Sequence, residues 1–345
     1  MTVPKKKHNL LLGILLCTPI LNAQQKTVKN PVFEPVFADP TVIYYAKEKA
    51  FYAYATQDNW ADGKGSRLLP IIKSTDLVNW TLVGAALTEK PKWKEKGGLW
   101  APDINFINNK YYLYYSFSEW GDRNPGIGLA IADHPAGPFV DKGKIFDSKE
   151  IQVPNSIDPV YVQFEKNNLL IWGSFDNGDK QGIHGIELNK SATAIADGAK
   201  KFKIAAGDWE ASILHFRDGY YYFFGSKGSC CEGANSKYHM LVARSKNIKG
   251  PYLDRERKSI LERGNGTLIL KGNEKVVGPG HMSKIITDKK GKDWVLLHGM
   301  DKENATLPNG INRRALYLEQ IKWKDGWPYI EDLQPHILLT ETPQF

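Results

Sequence analysis

Five short aromatic strands recur along the chain, and their spacing limits the fold more than any other feature. They are "FYAYAT" from Phe51, "YYLYYS" from Tyr111, "LLIWGS" from Leu169, "YYYFFGS" from Tyr220 and "WVLLHG" from Trp294. Their starts lie 60, 58, 51 and 74 residues apart. That interval suits a four-stranded propeller blade with loops of varying size.

Turn chemistry agrees. Tight polar turns precede four of these strands: "NNK" at 108–110, "KNN" at 166–168, "RDG" at 217–219 and "KKGK" at 289–292. Such turns join hairpins. "LAIADHPAGPFVD" (129–141) and "VARSKNIKGPYLD" (242–254) repeat Ala, Gly-Pro, an aromatic and Asp at an offset of 113, which relates blades 2 and 4. Helical periodicity is almost absent; "NKSATAIADGAKKF" (189–202) reads as a loop or one helical turn. The expectation is an all-β, five-bladed β-propeller. No low-complexity stretch or linker divides it, so residues 24–345 form one domain.

Lys5, Lys6 and Lys7 precede an apolar stretch from Leu10 to Leu21 that is too short to span a membrane. Residues 1–23 therefore read as a signal peptide cut near Ala23, and the protein as secreted or periplasmic. A lipid anchor on Cys17 is the weaker reading, because Leu16 rather than a small residue precedes it. Removing the segment lowers the formal charge from +8 to +5, with the basic residues scattered among acids. Nothing there points to nucleic acid. Cys230 and Cys231 are adjacent, lack zinc-site spacing, and read either as a vicinal disulfide or as buried thiols.

A carboxylate, Glu210, stands between Trp209 and the apolar run from Ala211 to Leu214. An unpaired buried charge is costly, so such a group is neutralised, paired or used in chemistry. Its position recurs. Ahead of each aromatic strand lies one polar residue at the head of the preceding strand: Asp39, Asp103, Asp158, Glu210 and His281. In a propeller these starts converge on one mouth of the central channel. Several carboxylates in one cleft suit glycoside hydrolysis, where one is protonated to donate to the leaving oxygen and another is ionised to act on water or sugar.

With these motifs in place, the chain resembles glycoside hydrolase family 43, and within it the arabinanase-like members. "FADPTVI", "LWAPDINFINNKYYLYYSFS", "NSIDPVYVQF", "WEASIL", "GSCCEGANSKYHMLVARSKNIKGPYLD" and "GPGH" carry the resemblance across the whole mature chain. It implies a five-bladed propeller that hydrolyses arabinose- or xylose-containing glycans with inversion, and an endo-acting α-1,5-L-arabinanase in particular. By the same resemblance Asp39 is the general base, Glu210 the general acid, and Asp158 the carboxylate that orients the acid and tunes its pKa. His281 is expected to help hold a channel calcium ion, largely through water. Trp100 is expected to contact the sugar, and Asp103 resembles a structural or sugar-contacting residue rather than a fourth catalyst, with Trp120 and Trp60 as weaker candidates. The expected partner is arabinan, with no nucleic acid and no membrane span, and the enzyme is expected to be a monomer.

Three alternatives stand beside this. One is an exo-acting arabinofuranosidase or xylosidase of the same family. Another is a retaining, fructan-cleaving propeller, against which there is no Asn before Asp39 and no Cys after Glu210. The third is a non-catalytic glycan-binding propeller.

Overall fold

The computed structural model describes residues 1–2, 27–175 and 181–345. The expected signal segment, apart from its first two residues, and Cys17 lie outside them.

Five antiparallel sheets follow one another along the chain, and each expected aromatic strand is the second strand of one of them. Blade 1 has strands Thr41–Tyr45, Ala50–Tyr54, Pro70–Ser74 and Thr81–Ala85. Blade 2 has Gly98–Ile107, Lys110–Ser118, Gly126–Ala132 and Val140–Asp147. Blade 3 has Val160–Phe164, Asn167–Trp172, Ile183–Leu188 and Phe202–Ala205. Blade 4 has Glu210–Arg217, Tyr220–Lys227, His239–Ser245 and Thr267–Lys271. Blade 5 has Val276–Gly280, Asp293–Asp301, Ala315–Lys324 and Trp327–Tyr329, with Ile286–Thr287 added beside its second strand.

The second strands are buried on both faces, and this is why they read as unbroken aromatic runs rather than alternating ones. Their side chains fill five interblade cores. Phe51 and Trp294 share the core between blades 5 and 1, and Tyr54 and Leu113 that between blades 1 and 2. Tyr114 and Trp172 pack between blades 2 and 3, Ile171 and Phe223 between 3 and 4, and Phe224 and Leu297 between 4 and 5. Packing therefore runs around a closed ring.

The ring closes through the segment before blade 1. Val28–Lys29 pairs with Leu338–Leu339, and the Asn30 side chain donates to the carbonyls of Leu318 and His336 at 2.8 Å each while accepting from Leu318 N–H at 2.9 Å. Two hairpins turn through Asn108-Asn109 and Asp218-Gly219, both with positive φ as a type I′ turn requires. The third lies one step before its expected place, at Glu165 and Lys166, with Asn167 and Asn168 in the strand. Residues 189–201 form the expected loop. A four-residue α-helix, Ser148–Ile151, was not expected; Asp147 and Glu150 close it with a capping box, which "DSKE" encodes.

At the channel mouth the blades share a backbone device. One residue per blade has left-handed φ: Asp39 (53°), Ala101 (42°), Asp158 (56°), Ala211 (56°) and His281 (49°). Outside glycine this conformation costs about 1 kcal/mol, so each must be held. Four of the five N–H groups are caught by a side chain in or just beyond the last residues of the second strand of the preceding blade. Ala101 donates to Thr56 Oγ1 (2.9 Å), Asp158 to Ser116 Oγ (2.8 Å), His281 to Ser226 Oγ (3.1 Å) and Asp39 to His298 Nδ1 (3.2 Å). Each clasp stitches a blade to its successor. Replacing Ser116 by Ala strands the buried Asp158 N–H, and stability should fall by about 1–3 kcal/mol, read as a lowered urea midpoint with an unchanged m-value.

Candidate active site

Three of the left-handed residues, Asp39, Asp158 and His281, line one cleft of about 780 Å³ together with Glu210 and Trp100, which each precede a left-handed alanine, and Arg314. All four residues expected to cluster at one mouth line it together, although 242 positions separate Asp39 from His281.

Asp39 is buried among donors. Thr56 Oγ1 donates to Oδ2 at 2.6 Å, and Arg314 Nη1 reaches both carboxylate oxygens at 3.0 and 3.1 Å. The ring nitrogens Nδ1 of His281 and of His298 each lie 3.2 Å from Oδ1. Burial alone would raise its pKa, but the Arg314 guanidinium and His281 hold it well below the usual carboxylate range; His298 Nδ1, which accepts the Asp39 N–H, has no proton to give the carboxylate. Asp39 is ionised.

Glu210 meets the opposite surroundings. Its Oε2 accepts from Ser174 Oγ at 2.6 Å, and Tyr238 supplies a second hydroxyl. Burial, followed by the neighbouring Asp158 charge, pushes its pKa up to about 7, more than these hydroxyls lower it. Trp209, the residue before it, packs in the core between blades 3 and 4. Burial and the Asp39 charge raise Asp158 to about 6, against the lowering effect of His281 and of the Ala211 N–H, which donates to Oδ2 at 3.2 Å. For His281, burial opposes a positive charge, but Asp39, Asp158 and Glu210 outweigh it and raise its pKa.

Asp103 is not brought to the cleft. It lies two residues beyond Ala101, the true counterpart of Asp39, and so one layer deeper in the channel. There its Oδ2 accepts from Tyr161 N–H and from Asn105 Nδ2, both at 2.7 Å, and its Oδ1 is 3.0 Å from Lys284 Nζ. With Thr41 Oγ1 of blade 1 also donating to Oδ1 at 3.5 Å, both carboxylate oxygens are engaged in joining blades 1, 2, 3 and 5, so of the two expected roles Asp103 takes the structural one and not the sugar contact. Trp100 does line the cleft, and it pairs with Ser116 in blade 2 as Glu210 pairs with Ser226 in blade 4. Gly280 takes the same place in blade 5, where a Cβ would run into the Tyr238 ring. Trp120 also lines the cleft, whereas Trp60 is buried under Arg67.

Sequence reasoning missed Arg314, His298, Thr56, Ser174 and Tyr238. Two of them, Thr56 and Ser174, end the repeated aromatic stretches as Ser116 and Ser226 do, and His298 stands one place before the end of the fifth, a recurring signal in the sequence itself. Arg314 and Tyr238 carry no comparable repeat.

For the expected calcium ion, the described residues contain no group of three His, Cys, Asp or Glu able to cage a metal. Calcium takes six to eight oxygen ligands, so the residues fit only a hydrated cation beside His281, within the field of Asp39, Asp158 and Glu210 that already favours positive charge there.

An ionised carboxylate and a protonated one facing a common cleft can, respectively, accept a proton from water and donate one to a leaving oxygen. The chain is 35% identical over 304 residues to an extracellular endo-α-(1→5)-L-arabinanase of Bacillus subtilis, covering 84% of this chain and 86% of that protein. It is 32% identical over 292 residues to an extracellular exo-α-(1→5)-L-arabinofuranosidase of Cellvibrio japonicus, covering 76% and 80%. Its fold matches that of the Cellvibrio cellulosa α-L-arabinanase complexed with arabinohexaose, with a TM-score of 0.74, 29% identity, and 87% and 96% of the two chains covered. The family model "Glycosyl hydrolases family 43" matches residues 28–328, and the chain belongs to that family.

Proposed function

We propose that this protein is a secreted, inverting glycoside hydrolase that cleaves α-1,5-L-arabinan, a pectin side chain, at internal linkages. The observation that carries this is the split in ionisation within one cleft: Asp39 held as an anion by Arg314 and His281, and Glu210 held as an acid by burial and Asp158. The extracellular arabinan-cleaving relatives support both the substrate and the location.

In this reading Asp39 takes a proton from a water that attacks the anomeric carbon, while Glu210 gives its proton to the departing glycosidic oxygen. Because Asp39 holds protons weakly, the water's proton passes late, as positive charge grows on the sugar. Asp158 keeps Glu210 protonated through its charge and fixes the Glu210–Ala211 backbone through the Ala211 N–H. Ser174 and Tyr238 orient the acid's carboxyl. A hydrated cation beside His281, when bound, would add positive charge near Asp39; no proton passes through it.

The direct test is incubation with linear and branched arabinan, xylan and aryl glycosides, with products sized over time. A ladder of arabino-oligosaccharides is expected, and release of single sugars alone would replace endo by exo action. Asp39→Asn should lower turnover by about 10²-fold or more while glycan binding by calorimetry persists. Near-normal hydrolysis would place the base elsewhere.

The pH dependence follows from the same groups. Asp39 stays ionised well below pH 4, so activity on that side does not depend on it. Glu210 must be protonated, so kcat/KM should fall as pH rises through about 7. In Asp158→Asn the anion that raises Glu210 is gone, and this alkaline limb should move to lower pH by roughly one unit. An unmoved limb would detach Asp158 from the acid.

A single displacement by water reverses the anomeric configuration. Proton NMR of the reducing end, recorded before mutarotation, should therefore show the β-anomer first from α-linked arabinan. An initial α-anomer would make Asp39 a nucleophile.

A further inference from the structure

Cys230 and Cys231 form a disulfide between adjacent residues, and the pair lies in the wall of the catalytic cleft with Ser229 and Glu232 on either side. Both are half-buried, and neither exchanges protons with the carboxylates.

The loop that carries them is held at several points. Ser229 O accepts from Lys237 N–H at 3.0 Å, and Glu232 N–H donates to Ser236 Oγ at 2.9 Å. Asn312, on the approach to the third strand of blade 5, donates to Cys231 O at 3.1 Å and accepts from Gly233 N–H at 2.7 Å. Two residues on, Arg314 grips Asp39. The sulfurs are thus tied through a three-residue segment to the reacting centre. Blade 2 supplies Trp100 and Trp120, with ring centroids 5.9 Å apart and Trp120 79% exposed. Blades 2 and 4 flank blade 3, so the indoles and the sulfurs border the cleft on either side of Asp158.

We propose that the Cys230–Cys231 disulfide is a binding surface for the glycan: a rigid, apolar, polarisable platform against which the C–H face of a bound sugar packs. The inference rests on the reading of this cleft as a glycan site. Sulfur makes favourable dispersion contacts, and a bond between neighbouring residues removes the freedom that a loop would otherwise lose on binding. The platform sets affinity, and the carboxylates set rate. A dithiol would undo it: the S–S bond breaks, each sulfur gains a hydrogen, and the reagent closes to its own disulfide.

The test compares wild-type enzyme, dithiol-treated enzyme and the Cys230→Ala/Cys231→Ala variant on linear arabinan, xylan and aryl glycosides. For the glycan turned over, KM should rise about tenfold with kcat within about twofold, the pattern of lost uniform binding. The alkaline limb should stay in place, and reoxidation should restore the wild-type KM. If the variant does not fold, the reduced wild-type enzyme gives the same reading. An unmoved KM in the reduced enzyme overturns the proposal, as does a fall in kcat with a shifted pH limb, which would make the bond a prop for the carboxylates. Turnover of xylan in place of arabinan ends the arabinan reading alone, and the platform is then judged on KM for xylan. A wild-type enzyme that binds none of these glycans overturns both.

Discussion

The clasp between a left-handed N–H and the end of the preceding blade's second strand is the constraint on which the site depends. A propeller without it would still bury its five aromatic cores, because that packing is radial and lies between the sheets. What packing does not determine is how each chain enters the channel. The left-handed residue acts as the extra residue of a bulge, seen as register shifts between Trp100 and Asp103 and between Glu210 and Ile213. It turns side chains that would lie along a strand toward the mouth.

The arrangement of Asp158, Ser174 and Glu210 is a local exception to that rule. Around the ring, Thr56, Ser116, Ser226 and His298 each catch the next blade's N–H. By the same pattern Ser174 would catch Ala211. Instead Asp158 takes the Ala211 N–H, and Ser174 is left to donate to Glu210. One exchange of partners couples two carboxylates through a single peptide unit and gives the acid its hydroxyl. A serine in this place costs the fold nothing extra, since the N–H is still satisfied.

The blades, their aromatic strands and the cleft-facing Asp39, Asp158, Glu210 and His281 were legible because each leaves a mark in residue type: buried aromatics, turn residues, a polar residue at a strand head. The polar register itself was misaligned, by one at Glu210 and by two at Asp103. Residue type misled there, since an acid was matched to an acid, while Pro40, Pro102 and Pro159 align Asp39 with Ala101 and Asp158. The true register is one of backbone conformation, and Ala101 and Ala211 give no hint of positive φ; alanine is a poor choice for it. Arg314 was hidden for another reason. Its role arises where the end of the ring meets its beginning, 275 residues from Asp39, and no local pattern encodes a contact made by closure.

That closure also explains why the carboxylates of one cleft differ in charge. The positive groups that hold the Asp39 carboxylate, His281 and Arg314, both come from blade 5, as does the neutral His298 that accepts its N–H. Blade 5 adjoins blade 1, so their field falls first on Asp39. Glu210 stands in blade 4 with blade 3 behind it, and its hydrogen-bonding side chains, Ser174 and Tyr238, are neutral. Even Asp58, in blade 1 and 3.7 Å from Arg314 Nη2, stays raised to about 6, because burial outweighs Arg314 and Asp39 adds to it. A single guanidinium secures one anion, and Asp39 holds it at 3.0 Å. Charge is therefore divided by blade order: the carboxylate beside the seam is ionised, and the one across the channel keeps its proton.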